Sequence, residues 1–188
     1  MEDSAVLRSL RDQPFELLAA LERRGRAASA SAGEESTPDR EWVGIGFRMA
    51  GELYLVARDE TREVLSVPPQ LTRVPGAKAW IKGLANVRGT LLPVIDLRQF
   101  LGSGVTPLTR NTRVIVVNHR DVPAGLLVDE VLGFRRFAEG EFAGDAPPTL
   151  LRCERFLAGG FRRGAEQWPV LGLRQLVENP GFLDAAAN

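Results

Sequence analysis

Apolar and polar positions alternate from residue 42 to 49. Val43, Ile45, Phe47 and Met49 fall on one side, and Trp42, Gly44, Gly46 and Arg48 on the other, which is the two-residue period of a strand. Ala50-Gly51-Glu52 makes a turn, and residues 53–57 return as the second arm of a hairpin. After a charged, exposed stretch at 58–62, residues 63–67 form a third strand stopped by Pro68-Pro69. Pro75-Gly76 is a turn dipeptide, and residues 77–82, with Trp80 and Ile81, are expected to make one helical turn before Gly83. Residues 87–95 divide into two strands pinched around Arg88-Gly89-Thr90, where glycine supplies the positive φ of a tight hairpin. Pro93 gives no N–H to a ladder, which predicts an edge strand or a bulge. From Asp96 the period changes: Leu97, Phe100 and Leu101 share one face of a short helix, with Asp96 as N-cap and Gly102 at its end.

The second half repeats this style. Residues 112–118 are rich in β-branched side chains and short enough to be a buried strand. His119-Arg120-Asp121 turns, residues 124–128 return, and 130–137 make a further strand. A loop over 139–151 contains Pro147-Pro148, and 156–163 with 168–171 form the last hairpin. Leu173, Leu176 and Val177 then share a helical face ended by Asn179-Pro180. At the other end, residues 4–24 are helical by spacing, with Pro14 starting a second segment whose apolar face carries Phe15, Leu18 and Leu21. Residues 25–40, rich in Ala, Ser, Gly and Glu, have no apolar period and are expected as a flexible linker. The organisation expected is a helix and linker over 1–41, a folded domain over 42–180 and a tail over 181–188.

Two short runs recur in the same order. Pro93-Val94-Ile95-Asp96-Leu97-Arg98-Gln99-Phe100-Leu101 is echoed by Pro169-Val170-Leu171-Gly172-Leu173-Arg174-Gln175-Leu176-Val177, and Glu63-Val64-Leu65 by Glu130-Val131-Leu132. A hairpin precedes each Glu-Val-Leu, and a strand-to-helix segment closes each unit. Two related β units follow, roughly 43–102 and 112–178, and many short strands with turns between them favour small barrels, which leave no sheet edge to pair with strangers. Residues without an echo are the better functional candidates. Arg88 has no counterpart, and Asp96 is replaced by Gly172.

Charge and chemistry narrow the function. Lys+Arg and Asp+Glu both number 24, so net charge gives no reason to expect nucleic acid or an anionic membrane surface. The basic residues are nearly all arginine, which leans towards bidentate protein contacts. One cysteine, Cys153, rules out an internal disulfide and suits a reducing compartment. Neither a secretory signal nor a membrane-length apolar run is present, so a cytosolic protein is expected. The only histidine, His119, sits in a turn beside Asp121, without a nucleophile-elbow pattern, so a solvated turn histidine outweighs a triad. One His and one distant Cys are a poor start for a metal site, and no Walker A or Gly-x-Gly-x-x-Gly loop occurs. Asp129-Glu130 at a strand start is expected to be solvated. Trp42, Trp80 and Trp168 are scattered and lack a basic groove, which favours packing over base stacking. No catalysis and no cofactor are expected. A nucleic-acid-binding small barrel and a hydrolase centred on His119 are the rivals to a protein-docking module.

A family resemblance supplies the rest. The runs Arg62-Glu63-Val64-Leu65, Val74-Pro75-Gly76, Trp80-Ile81-Lys82-Gly83, Asn86-Val87-Arg88-Gly89, Pro93-Val94-Ile95-Asp96-Leu97-Arg98 and Gly125-Leu126-Leu127-Val128-Asp129-Glu130-Val131 come in the order seen in CheW-like domains. The amino-terminal Pro14-Phe15-Glu16-Leu17-Leu18 and the carboxy-terminal Gly181-Phe182-Leu183-Asp184 resemble the branch of that family serving type IV pili and twitching motility; flagellar chemotaxis is the alternative. The resemblance implies two five-stranded SH3-like β-barrels with short helices and a non-catalytic adaptor. Such an adaptor joins the cytoplasmic tip of a methyl-accepting chemoreceptor to the regulatory domain of a CheA-type histidine kinase, within receptor arrays at the inner membrane face. It places Arg88, Glu63, Gly89 and Asn86 at the receptor interface. Asp96, Pro75, Trp80 and Val94 are marked for the kinase interface or for the fold. Val87 stands where leucine is usual, a mild change for the turn.

Overall fold

Eleven strands and three short helices carry the residues described by the computed structural model, 41–185. The expected amino-terminal helix and linker lie outside the described residues. Along the chain come β1 (Trp42–Met49), β2 (Glu52–Ala57), β3 (Thr61–Ser66), β4 (Ile81–Val87), β5 (Thr90–Asp96) and helix α1 (Leu97–Phe100). Then follow β6 (Arg113–Val117), β7 (Gly125–Val128), β8 (Glu130–Phe137), β9 (Phe142–Ala143), β10 (Leu157–Arg163), β11 (Glu166–Leu171), α2 (Leu173–Val177) and α3 (Pro180–Leu183). They form a five-stranded sheet, β3-β6-β7-β5-β4, and a six-stranded one, β8-β1-β2-β11-β10-β9. The chain is mainly β, with few helices, as its residue pattern indicates.

The two sheet orders superpose strand for strand. β3 corresponds to β8, β6 to β1, β7 to β2, β5 to β11 and β4 to β10. Both sequence echoes fall on matched positions: Glu63-Val64-Leu65 and Glu130-Val131-Leu132 lie on corresponding outer strands. β5 and β11 each make the one parallel pairing of their sheet, Val94 with Gly125 and Val170 with Leu55. Each then runs straight into a helix from nearly the same cap dihedrals, φ −77°, ψ 102° at Asp96 and φ −76°, ψ 103° at Gly172.

The sheets are not divided where the repeats are. Residues 43–102 and 112–178 do not each close on themselves, because the hairpins are exchanged. The hairpin β1–β2 completes the sheet of β8, β10 and β11, and β6–β7 completes that of β3, β4 and β5. Those parallel pairings pull each hairpin across, and a ladder records only who is paired, not who is next in sequence.

Burial follows the exchange. One face of the five-stranded sheet closes on its own small core of Ala85, Val94, Val114 and Leu127. The matching face of the other sheet holds Leu55, Phe137, Phe161, Trp168 and Val170. The remaining faces meet in a shared core that includes Ile45, Phe47, Tyr54, Val56, Ile95, Ile115, Leu126, Val128 and Leu171. β6 and β7 are thus apolar on both faces, which is why they read as continuous apolar runs.

Local expectations fared unevenly. Residues 77–82 make no helical turn: Ile81 N–H donates to Lys78 O (2.9 Å), a single turn, and Ile81 and Lys82 already belong to β4. β5 is not an edge strand, but its ladder with β4 carries a bulge at Lys82, opposite Val94 and Ile95, and its pairing with β7 begins only at Val94, so Pro93 has one neighbouring strand, opposite Leu84. The expected tail at 181–188 begins as helix α3, which buries Phe182 against Trp80 (5.8 Å between rings) and Phe100 (5.2 Å). Asp96 caps α1, as its position indicates. Gly172 has no side chain to cap α2, and Glu60 supplies the acceptor, taking a hydrogen bond from Leu173 N–H at 2.7 Å.

Candidate interaction surface

Val87 pairs with Thr90, so the turn between β4 and β5 is Arg88-Gly89 alone. Both residues have positive φ, 52° and 84°, which identifies a type I′ turn, the two-residue turn whose twist matches that of the strands. Open space surrounds Gly89 where a Cβ would stand, so its φ and not crowding asks for glycine. Asn86 Oδ1 accepts from Gly89 N–H at 2.9 Å and fixes the turn. Arg88 projects outwards, 79% exposed, and its Nη2 lies 3.1 Å from Oε2 of Glu63, itself 22% exposed. β3 and β4 are the outer strands of their sheet, so this ion pair ties together its two open ends. The guanidinium retains N–H donors directed to solvent beside a cleft of about 130 Å3 floored by Val87, Leu92 and Val116.

The other marked residues separate by burial. Val94 is fully buried in the five-stranded core and presents nothing outwards. Asp96 is also fully buried. Its Oδ1 accepts from Gln99 N–H (3.2 Å) and the Thr106 hydroxyl (2.7 Å), and its Oδ2 from Thr106 N–H (3.0 Å), with Lys82 Nζ at 3.8 Å. Asp96 stands at the far end of β5 from Arg88 and holds α1 and the loop after it. Trp80 is half-buried in the aromatic cluster with Phe100 and Phe182. Only Pro75 of this group is exposed, in a turn where Gly76 takes φ 71°.

Two side chains expected in solvent are engaged. Asp129 lies between β7 and β8, where the chain crosses from one sheet to the other. Its Oδ2 accepts from Ala50 N–H at 2.7 Å, and its Oδ1 faces Arg98 Nη1 at 3.6 Å. His119 Nδ1 accepts from Val122 N–H (3.1 Å) and Asp121 N–H (3.3 Å), while Nε2 lies 3.1 Å from Glu178 Oε1. These contacts use the ring to close its own turn. The bracing roles of Asp129 and Glu60 were missed; the one trace is the acidic pair Asp129-Glu130 that breaks the apolar run 124–132. Elsewhere, a bidentate contact with Arg163 (2.7 and 2.8 Å) and the Ala138 N–H hold the Glu141 carboxyl down at about 2. Burial pushes the Cys153 thiol and the Tyr54 hydroxyl up. Among the described residues, no three His, Cys, Asp or Glu side chains are grouped to hold a metal ion. No described helix is long and apolar enough to cross a membrane.

A model of the CheW-like domain matches residues 43–180, well over half of the chain. The chain belongs to the CheW-like domain family. Protein PilI of Pseudomonas aeruginosa is 42% identical over 173 residues, which cover 92% of this chain and 96% of PilI. Protein FrzA of Myxococcus xanthus is 34% identical over 62% of this chain and 69% of its own length. Among solved structures, the scaffolding protein CheW of Thermoanaerobacter tengcongensis has a TM-score of 0.65 at 28% identity, covering 74% of this chain and 94% of that one. CheW-like proteins are non-catalytic adaptors of chemosensory signalling, and this chain is a scaffold of that kind.

Proposed function

We propose that this chain couples the cytoplasmic tip of a methyl-accepting chemoreceptor to the regulatory domain of a CheA-type histidine kinase, in a system controlling type IV pili and twitching motility. The observation that carries the pilus assignment is the similarity to PilI, which spans nearly the whole of both chains. The receptor side of the adaptor is the turn at Arg88. Asn86 and the type I′ geometry hold the turn rigid, and Glu63 orients the guanidinium without enclosing it. A preoriented, planar, multiply donating group loses little entropy on docking and suits polar acceptors on a receptor tip. The kinase would bind elsewhere on the barrels, and the signal would pass as a change in their relative position, without chemistry in the adaptor.

The test is co-purification with a receptor-tip fragment and with the kinase regulatory domain, using wild type and Arg88→Ala. The variant is expected to keep its fold and its kinase binding and to lose receptor binding, because an exposed ion pair contributes under ~1 kcal/mol to stability. Unchanged receptor binding by the folded variant would overturn the role of Arg88. Deletion of the gene is expected to abolish twitching and leave swimming intact. The reverse pattern would favour a flagellar adaptor.

A further inference from the structure

An apolar cavity of about 480 Å3 lies away from Arg88, at one end of the six-stranded sheet. It opens between the start of β1, the end of β2, β9, and the ends of β10 and β11 that meet there. Three aromatic rings shape it. Trp42 and Phe161 are 4.7 Å apart between centroids at 35°, and Phe142 meets Phe161 edge-on at 5.2 Å and 62°. Phe161 is buried and forms the floor, whereas Phe142 is 47% exposed and stands at the entrance. Among the described residues, Glu41, Glu60 and Glu139 line the cavity and no cationic side chain does. Glu41 is compensated by Arg136 at 3.0 Å and Glu60 is occupied by Leu173 N–H, but Glu139 has no side-chain partner among the described residues.

The geometry points to a binding site for a small organic cation with an apolar body, an arylalkylammonium or quaternary ammonium compound. The rings of Trp42 and Phe142 in its lining, with carboxylates lining it too, attract such a cation through the ring quadrupole and by direct charge. They offer an anion nothing. The volume falls within the range of small-molecule sites and exceeds what a single lysine or arginine side chain would fill, which favours a free ligand over a protein side chain. This assignment does not depend on the adaptor reading, since its walls include none of the residues placed at the receptor interface.

The probes are benzyltrimethylammonium, its neutral isostere neopentylbenzene and the anion phenylacetate, titrated into the full chain and followed by amide and indole NMR shifts. The cation is expected to move the Trp42, Ala57, Ala158 and Gly172 signals together and saturably. The neutral isostere is expected to bind at least about tenfold more weakly, and phenylacetate not at all. Glu139→Gln, at an exposed carboxylate without a partner, should weaken the cation about three- to tenfold and leave the spectrum otherwise native. Phe142→Ala should do the same through the lost ring face. Equal binding of cation and neutral isostere, or shifts confined to other regions, would overturn the proposal. So would an inert cavity whose signals respond only to the kinase regulatory domain, for that outcome makes it part of a protein interface.

Discussion

Asp96→Ala is the substitution that best separates architecture from recognition. The carboxylate is fully buried, caps α1 through Gln99 N–H, and accepts from both the N–H and the hydroxyl of Thr106. Removing the cap costs about 1 kcal/mol. Thr106 is itself buried, and its stranded N–H costs a further ~1–3 kcal/mol, while its hydroxyl can rotate in search of another acceptor. Lys82 at 3.8 Å adds little, being part-exposed. The expected loss is therefore about 2–4 kcal/mol, or about 5–15 °C in Tm for a domain of this size. Asp96→Asn should fall between, at about 1–2 kcal/mol, because one amide oxygen can replace Oδ1 while its NH2 group faces the Thr106 N–H. Urea titrations monitored by tryptophan fluorescence measure these differences, and co-purification at a temperature where all variants are folded measures binding. A loss below about 0.5 kcal/mol, or unchanged stability with abolished partner binding, would refute the assignment of Asp96 to the fold.

Exchange of hairpins predicts that fragments 41–102 and 103–188 are each unfolded alone by circular dichroism and regain native strand signal when mixed; independent folding of either would contradict the sheet assignment. Glu60→Ala should destabilise by about 1 kcal/mol in the same urea assay, since it removes the acceptor that stands in for the missing cap on α2. Glu141 should titrate near 2 in a carbon-detected NMR experiment, and return towards the ordinary carboxylate range in Arg163→Ala. Its folded-state value is depressed, so its contribution to stability is complete above the unfolded carboxylate range and is lost as pH falls towards 2. Arg88→Gly should leave stability unchanged or raise it by up to about 1 kcal/mol, because glycine takes φ 52° without strain, and yet remove receptor binding.

Much of this protein was legible in its residues. Alternation located β1, β2 and the later hairpins, the change of period at Asp96 located α1, and the order of the short motifs indicated the family. The repeats were legible too, because Glu63-Val64-Leu65 and Glu130-Val131-Leu132 occupy equivalent strands. Short-range chemistry did this work: side-chain period, turn residues and caps depend on neighbours a few positions away. Tertiary structure decided which hairpin completes which sheet, since the parallel pairings Val94–Gly125 and Val170–Leu55 join segments with no local signal linking them. It also decided what each polar residue does. Asp96 and Arg88 looked alike as unrepeated charged residues beside one strand, but one side chain turns inwards to Thr106 and the other outwards to solvent. Asp129 and Glu60 find backbone N–H partners that the chain brings in from 79 and 113 positions away. A sequence fixes the kind of group at each position; only the packing of distant strands fixes whether that group meets a partner or water.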